Sequence, residues 1–327
     1  MTTVELLTKS DVRWVVAQAA RAPSIHNTQP WRFRWDGRAF ELRADTHRGL
    51  SAADPEGREL VLSCGAALFN LRLALRKLGF TSSLRLLPSG EDPRLLARVT
   101  VEPGLPADVR TRRMYAALTR RHTHRGSFED RPLSAELAVQ LQRAAEDENA
   151  SLLYVHDPGQ RHRVLHLARS AERELAADER VREEVAAWTP PPASPRRDGI
   201  PATAYAHEPS TLADDLPPRD FDLDRGYGQV DSGEQPAGGL AVLLTPRDLE
   251  VDWLQAGQAL EHVLVTAAER FAFAAMHSQV IEVPNLRDEL RRELCTAGYP
   301  QILLRFGYAA DVVVTPRRPV DDVLELT

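Results

Sequence analysis

The segment GAALFNLRLALRKLGF, beginning at Gly65, lines up with GQALEHVLVTAAERFA, beginning at Gly257, an offset of 192 residues (257 − 65). A chain that carries one apolar helix twice is constrained to build two related units, because each copy needs the same kind of partner surface. Each copy is followed by a strand-like segment, LLARVTVE from Leu95 and QILLRFGY from Gln301. LSAELAVQLQRAAEDENASLLYVHD from Leu133 repeats the helix-then-strand order of AQAARA and WRFRW near the start. The pattern predicts an α+β chain of two related halves, residues 1–110 and 111–327. A repeat this long fits an internally fused dimer rather than a solenoid.

Local signals fill in the halves. LLTKSDVRWVVAQAARA has apolar residues at helical spacing, with Ser10 or Asp11 as N-cap, and runs into Pro23. WRFRWDGRAFELRAD alternates apolar and polar residues on either side of Asp36-Gly37, the signature of a β-hairpin. Pro55 to Leu78 reads as a buried helix closed by Gly79. Between Trp188 and Gly238 the text is rich in Pro, Gly and Asp and almost free of periodicity. Loops of that length are lids or linkers. Trp188, Tyr205, Phe221 and Tyr227 supply apolar anchors that a linker does not need, so residues 188–238 are expected to form an ordered lid-like insertion.

Hydrophobic residues make up 43% and charged residues 27% of 327, a globular balance. A net charge of −6 gives no global field for nucleic acid or an acidic membrane, so any phosphate site must be a local arginine cluster. Lys9 and Lys77 are the only lysines among 41 basic residues. The N-terminal residues lack the pattern of a secretory signal, and no apolar run is long enough to span a bilayer. Cys64 and Cys295 form neither a C-x-x-C motif nor a zinc set, and a reducing cytoplasm is expected.

Two short motifs carry chemistry. APSIHNTQPW, residues 22–31, joins the first helix to the first strand and places Ser24, Asn27 and Gln29 where they can hydrogen-bond a heterocycle or a polyol; a polar turn sealed by Trp31 is the plainer reading. In RRHTHRGSF, residues 120–128, Arg121, Thr123 and Arg125 alternate with His122 and His124. In an extended segment alternate residues project to one side, so two guanidinium groups and a hydroxyl can converge on one phosphate. A solvated basic stretch is the commoner fate of such a run. A metal role for His122 and His124 lacks a carboxylate or thiol partner, and His162 and His166 lack an H-E-x-x-H arrangement, so no metal site is expected. No Ser-His-Asp set, P-loop or G-x-G-x-x-G is present.

Together the motifs resemble the nitroreductase superfamily, whose flavin site combines an R-x-S-x-R segment with a P-S-x-x-N-x-Q-P-W loop from a partner. Here the first is Arg121, Thr123 and Arg125, with Thr in place of Ser, and the second is Pro23, Ser24, Asn27, Gln29, Pro30 and Trp31. DPEGRELVLSCGAALFNLRLALRKLG, RDGIPATAY, SQVIEVPNLR and TPRRPVDDVL extend the likeness to the Acg family, in which a fused chain folds as a pseudo-dimer with a lid over the flavin. The resemblance implies a nitroreductase-like fold and one FMN per chain, because only one composite site keeps both segments. It implies further that Gln279 and the Ile281-Glu282 turn meet the flavin ring, with a backbone N–H facing the reactive ring nitrogen. It also implies that Arg317 and Arg318 reach the phosphate.

The expected function is an FMN-dependent oxidoreductase that passes hydride from NAD(P)H to a nitro, quinone or other electron-poor acceptor in a ping-pong cycle, with flavin-based chemistry and no catalytic side chain. The alternatives are an FMN-sequestering stress protein whose lid blocks the ring, and an oxidase or flavin-fragmenting enzyme using dioxygen. A monomer acting as its own pseudo-dimer is expected.

Overall fold

The computed structural model describes residues 6–126, 128–205, 216–229, 238–309 and 313–327. In chain order these form α1 (Lys9–Ala19), β1 (Trp31–Trp35), β2 (Ala39–Ala44), α2 (Arg58–Lys77), β3 (Phe80–Leu86), β4 (Leu95–Pro103), α3 (Val109–Leu118), α4 (Ala135–Glu146), β5 (Ser151–Tyr154), α5 (Pro158–Ala177), α6 (Glu179–Ala187), β6 (Gly239–Thr245), α7 (Glu250–Glu269), β7 (Ala272–His277), α8 (Gln279–Glu282), α9 (Pro284–Glu293), β8 (Tyr299–Tyr308), α10 (Val320–Val323) and β9 (Leu324–Leu326). One sheet has the order β3-β4-β2-β1-β9 and the other β5-β6-β8-β7, with helices between and around them, so the class is α+β. Among the described residues no helix is long and apolar enough to cross a membrane.

The hairpin forms where expected. Asp36 Oδ1 accepts the N–H groups of Arg38 and Ala39, and Gly37 takes φ 87°, a left-handed turn position that suits glycine. The start of α1 differs from expectation. Thr8 is the N-cap, its hydroxyl accepting from Asp11 N–H while Asp11 Oδ2 accepts from Thr8 N–H. That reciprocal box makes Asp11 the third helical residue and takes the cap away from Ser10.

The two repeated helices, α2 and α7, pack against each other at the centre. Phe69 stacks on His262 at 4.8 Å, and Asn70 Nδ2 donates to Glu261 Oε1 at 2.9 Å. Shifting by the repeat offset turns 69 into 261 and 70 into 262, so each pair maps onto the other. That reciprocity marks an isologous, pseudo-two-fold contact inside one chain. On the first side, Trp31, Phe33, Phe40 and Leu42 of the hairpin bury against α1 and α2. On the second, β6 alternates between two cores. Ala241 and Leu243 face α4 and α7, while Leu240, Val242 and Leu244 face α5, α6 and α9. Burial on both faces explains why β6 reads as an unbroken apolar run.

The last described residues leave the second unit. β9 pairs parallel with β1, Phe33 opposite Leu324, and completes the first sheet. The division at residue 110 therefore places in the second half a tail, 313–327, that packs on the first unit.

Candidate functional site

The loop after α1 is built from strained backbone. Ser24 Oγ accepts Gln29 N–H at 2.9 Å, and Ile25 N–H donates to Ser63 Oγ of α2 at 3.2 Å. Between these ties His26, Asn27 and Gln29 adopt φ of 44°, 54° and 52°. Left-handed backbone at a non-glycine residue costs about 1 kcal/mol or more, and it persists where the surroundings over-determine it, as at binding sites. Pro23 is buried at the mouth of this loop.

The arginine segment comes from the other unit. After α3 the chain runs beside β7, with Thr123 bridging Ala274 and His124 N–H donating to Ala274 O at 3.0 Å. Arg121 is buried; its Nη2 donates to Arg21 O at 2.9 Å and its Nε lies 3.2 Å from Glu261 Oε1. Arg317, from the C-terminal arm, reaches the same place. Its Nη2 donates to Arg21 O at 3.0 Å and Ala22 O at 3.1 Å, and its Nη1 to Asn27 Oδ1 at 3.1 Å. Two guanidinium groups thus converge on the carbonyl end of α1, which favours positive charge.

The cluster holds more positive charge than it neutralises. Burial, with repulsion from Arg121, pushes Arg317 down to about 9 and Arg125 down to about 10, both still cationic at neutral pH. Burial pushes Glu261 up to about 7, so this carboxylate is only partly ionised beside its cation. Arg121 Nε and Nη1 and Arg317 Nε are sealed from solvent without a hydrogen-bond partner among the described residues. Arg125 is half-buried, 5.9 Å over the Phe221 ring, and among the described residues has no hydrogen bond or ion pair. Buried donors without acceptors and an excess of cations over the single Glu261 carboxylate fit a multivalent anion such as a phosphate.

Not every residue singled out in the sequence turns toward this cluster. Asn27 meets it only through Oδ1, its Nδ2 donating instead to Gly199 O at 2.9 Å and Pro316 O at 3.2 Å, while Gln29 Nε2 donates to Arg197 O at 2.9 Å and its Oε1 accepts Arg318 N–H at 2.8 Å. Both amides tie the loop to the insertion and to the arm. Arg318 lies apart from the cluster, its Nη1 donating to Gln29 O at 3.2 Å and sitting 3.8 Å from Asp45. The Ile281 and Glu282 N–H groups donate within their own turn, to Ser278 O at 2.7 and 3.1 Å. The Glu282 carboxylate accepts from Arg219 Nη2 at 2.6 Å at both oxygens, and Gln279 Nε2 donates to Glu172 Oε2 at 3.0 Å. His122 and His124 pack on Phe273 and Phe128, and His162 and His166 are exposed.

The insertion clamps the site from both sides. Its first stretch engages the first unit: Gly199 N–H donates to Asn27 O at 3.2 Å, and Arg48 pairs with Asp198 and lies 5.1 Å over Trp188. Residues 216–229 engage the second through Arg219 and through Pro217 O, which accepts from Gln279 Nε2. Ile200, Ala202, Ala204 and Tyr205 pack with Phe221 and Tyr227, so three of the four aromatic anchors share one cluster. Residues 206–215 and 230–237 of the expected lid lie outside the described residues. Sequence reading missed Glu261 and Arg219, gave His26 no role, and named Phe221 only as an anchor of the insertion. Glu261 carried a signal, a carboxylate in the middle of an otherwise apolar helix; the others depend on long-range packing.

No protein-family model matches the chain. The chain is 34% identical over 325 residues to "Putative NAD(P)H nitroreductase Rv3131" of Mycobacterium tuberculosis, covering 96% of this chain and 91% of that protein. It is 27% identical over 329 residues to "Putative NAD(P)H nitroreductase acg" of the same organism, covering 98% and 97%. A solved nitroreductase with bound FMN from Desulfitobacterium hafniense overlaps 64% of this chain and 95% of its own at 12% identity and a TM-score of 0.39. At that score the overlap establishes neither fold nor site, and kinship rests on the full-length relatives.

Proposed function

The chain belongs to the NAD(P)H nitroreductase family, and from that membership we propose that it is an FMN-dependent oxidoreductase with one composite flavin site between its halves, residues 1–110 and 111–327. The observation that carries the reading is the pair Arg121 and Arg317, two cations sharing one partly ionised Glu261 with donors left unpaired, and Arg125 close enough to repel both. That is the donor set a phosphate monoester needs, so the residues fit FMN. When bound, FMN supplies two-electron redox chemistry between a reduced nicotinamide and an acceptor.

In this reading Arg121, Thr123 and Arg317 hold the phosphate, and Arg125 stabilises negative charge at the ring. Pro23, Ser24, Asn27 and Gln29 fix the strained loop against which the ring lies. Gln279, Ile281 and Glu282 shape the opposite wall and anchor the insertion, and Arg318 locks the arm. The insertion acts as a lid. NAD(P)H and a nitro, quinone or other electron-poor acceptor use the exposed ring face in turn, as in a ping-pong cycle. Cys64 and Cys295, neither of them in a disulfide, suit a cytoplasmic setting, and the fused halves let a monomer act as a pseudo-dimer.

One observation favours a second reading, flavin sequestration. Phe221 of the insertion stands between His26 and Arg125, at 5.5 Å from the first ring and 5.9 Å from the second group, and the insertion is tied to both units. The test is the visible spectrum of the purified chain with FMN quantified per chain, followed by NADPH oxidation with a nitroaromatic acceptor. One FMN per chain with turnover supports the enzyme. Tight FMN without turnover supports sequestration, and a chain that takes up no FMN overturns both.

A further inference from the structure

Four histidines are buried among the described residues, and one differs from the rest. His122 Nδ1 lies 2.9 Å from Arg120 O, and His277 Nδ1 lies 3.3 Å from Pro217 O. His262 has one sealed, unbonded nitrogen, beside Glu148. His26 is 6% exposed, and both of its ring nitrogens are sealed from solvent with no hydrogen-bond partner. A buried imidazole with nothing to bond at either end pays the desolvation of a donor and an acceptor without return. It does so on strained backbone, at φ 44°.

The surroundings say what kind of partner is missing. Phe221 presents its ring edge-on at 85°, and Asn27, the next residue, binds Arg317 of the cationic cluster. Burial, with Arg219 and Arg125 nearby, holds the imidazole well below its ordinary pKa, so it is neutral, with one N–H donor and one lone pair. A phosphate is served by the arginines at the carbonyl end of α1, not by a neutral ring walled by an aromatic.

We propose that His26 is a ligand-binding residue of this site, hydrogen-bonding a planar aromatic ring that carries its own donors and acceptors, either the flavin ring or an aromatic acceptor lying on it. The inference rests on the flavin reading above. Its chemistry requires no proton transfer, only a neutral imidazole presented at a fixed angle beside Arg125 and Phe221.

The experiment uses the full chain with His26→Phe, which keeps a flat ring without hydrogen bonds, and His26→Gln, which keeps a donor and an acceptor. Apoprotein is titrated with FMN and with riboflavin, following flavin fluorescence. FMN-loaded protein is titrated with nitrobenzoate, following the visible band, and the thermal midpoint of each apoprotein is recorded. If the partner is the flavin ring, His26→Phe weakens FMN and riboflavin alike by about tenfold, and His26→Gln recovers most of the loss. If it is the acceptor, flavin binding is unchanged and the same loss and recovery appear with nitrobenzoate. In both cases the apoprotein midpoint of His26→Phe is unchanged or raised, because an unpaired polar group has been removed. Unchanged binding of all three ligands overturns the inference, as does a loss confined to FMN, or a fall in the apoprotein midpoint that accounts for the weaker binding. A wild-type chain that binds no flavin overturns the flavin reading itself, a result distinct from normal wild-type binding with silent variants.

Discussion

A Cβ added at Gly65 would stand 2.2 Å from Leu254 O, and one added at Gly257 would stand 1.9 Å from Leu62 O. These are one contact made in both directions, since 65 and 257, and likewise 62 and 254, differ by the repeat offset. The two helices approach backbone to backbone at their shared glycine, and this sets how near the halves come.

Gly65→Ala and Gly257→Ala should therefore each destabilise the chain, and by similar amounts. Alanine is the better helix former by about 1 kcal/mol, but each new methyl meets backbone that cannot step aside. A net loss of about 2 kcal/mol or more is expected in urea denaturation. Gly90→Ala, with nothing within 4 Å of the added carbon, should be neutral or slightly stabilising.

Arg121→Ala should weaken FMN binding by about ten- to a hundredfold, the cost of lost charge-assisted bonds. Riboflavin, which lacks the phosphate, should bind the variant nearly as well as wild type, so the measured quantity is the ratio of the two affinities. His162→Ala, an exposed position, should leave both affinities unchanged.

Glu261 predicts a pH dependence. An unfolded glutamate loses its proton near 4.5, whereas burial holds this one to about 7. Between those values the folded chain keeps a proton that the unfolded chain has released. The contribution is complete below pH 4.5, declines as pH rises and is gone above about 7, a span of roughly 3 kcal/mol. Comparing denaturation midpoints of wild type and Glu261→Gln from pH 4.5 to 8 should show wild type losing ground across that window and running parallel above it.

Arg219→Gln should loosen the insertion. The pair with Glu282 is buried, with side chains 8% and 1% exposed, and removing one partner strands a carboxylate at a cost of about 3–5 kcal/mol. Hydrogen exchange in residues 216–229 should quicken more than exchange in β6 or β8, where the ladder is untouched.

Much of this was legible from neighbouring residues. The hairpin at Asp36-Gly37 and the central helices are written in periods of two or about four residues, and local geometry obeys them. Thr8 was passed over because Ser10 and Asp11 are equally good caps by type; only the return bond from Asp11 decides. Arg317 and Arg318 are adjacent in sequence, yet one enters the cationic cluster and the other turns to Gln29 and Asp45. That choice depends on contacts 289 and 290 residues away along the chain. The roles of Ile281 and Glu282 come from the resemblance alone, since nothing in the residue types at that turn tells where its N–H groups point; within α8 they bond Ser278 O.

The strand β9 has a consequence for how the molecule is assembled in time. Thr327 bonds Trp35 O across 292 residues, so during synthesis β1 must wait with an open edge until that whole stretch has been made. Arg317 rides on the segment that brings β9 home. A chain halted before that segment emerges has two packed central helices but an unfinished first sheet, and its cationic cluster lacks Arg317. On the proposed flavin reading, cofactor capture becomes the last event of folding, and a bound anion would in turn hold the late strand in place.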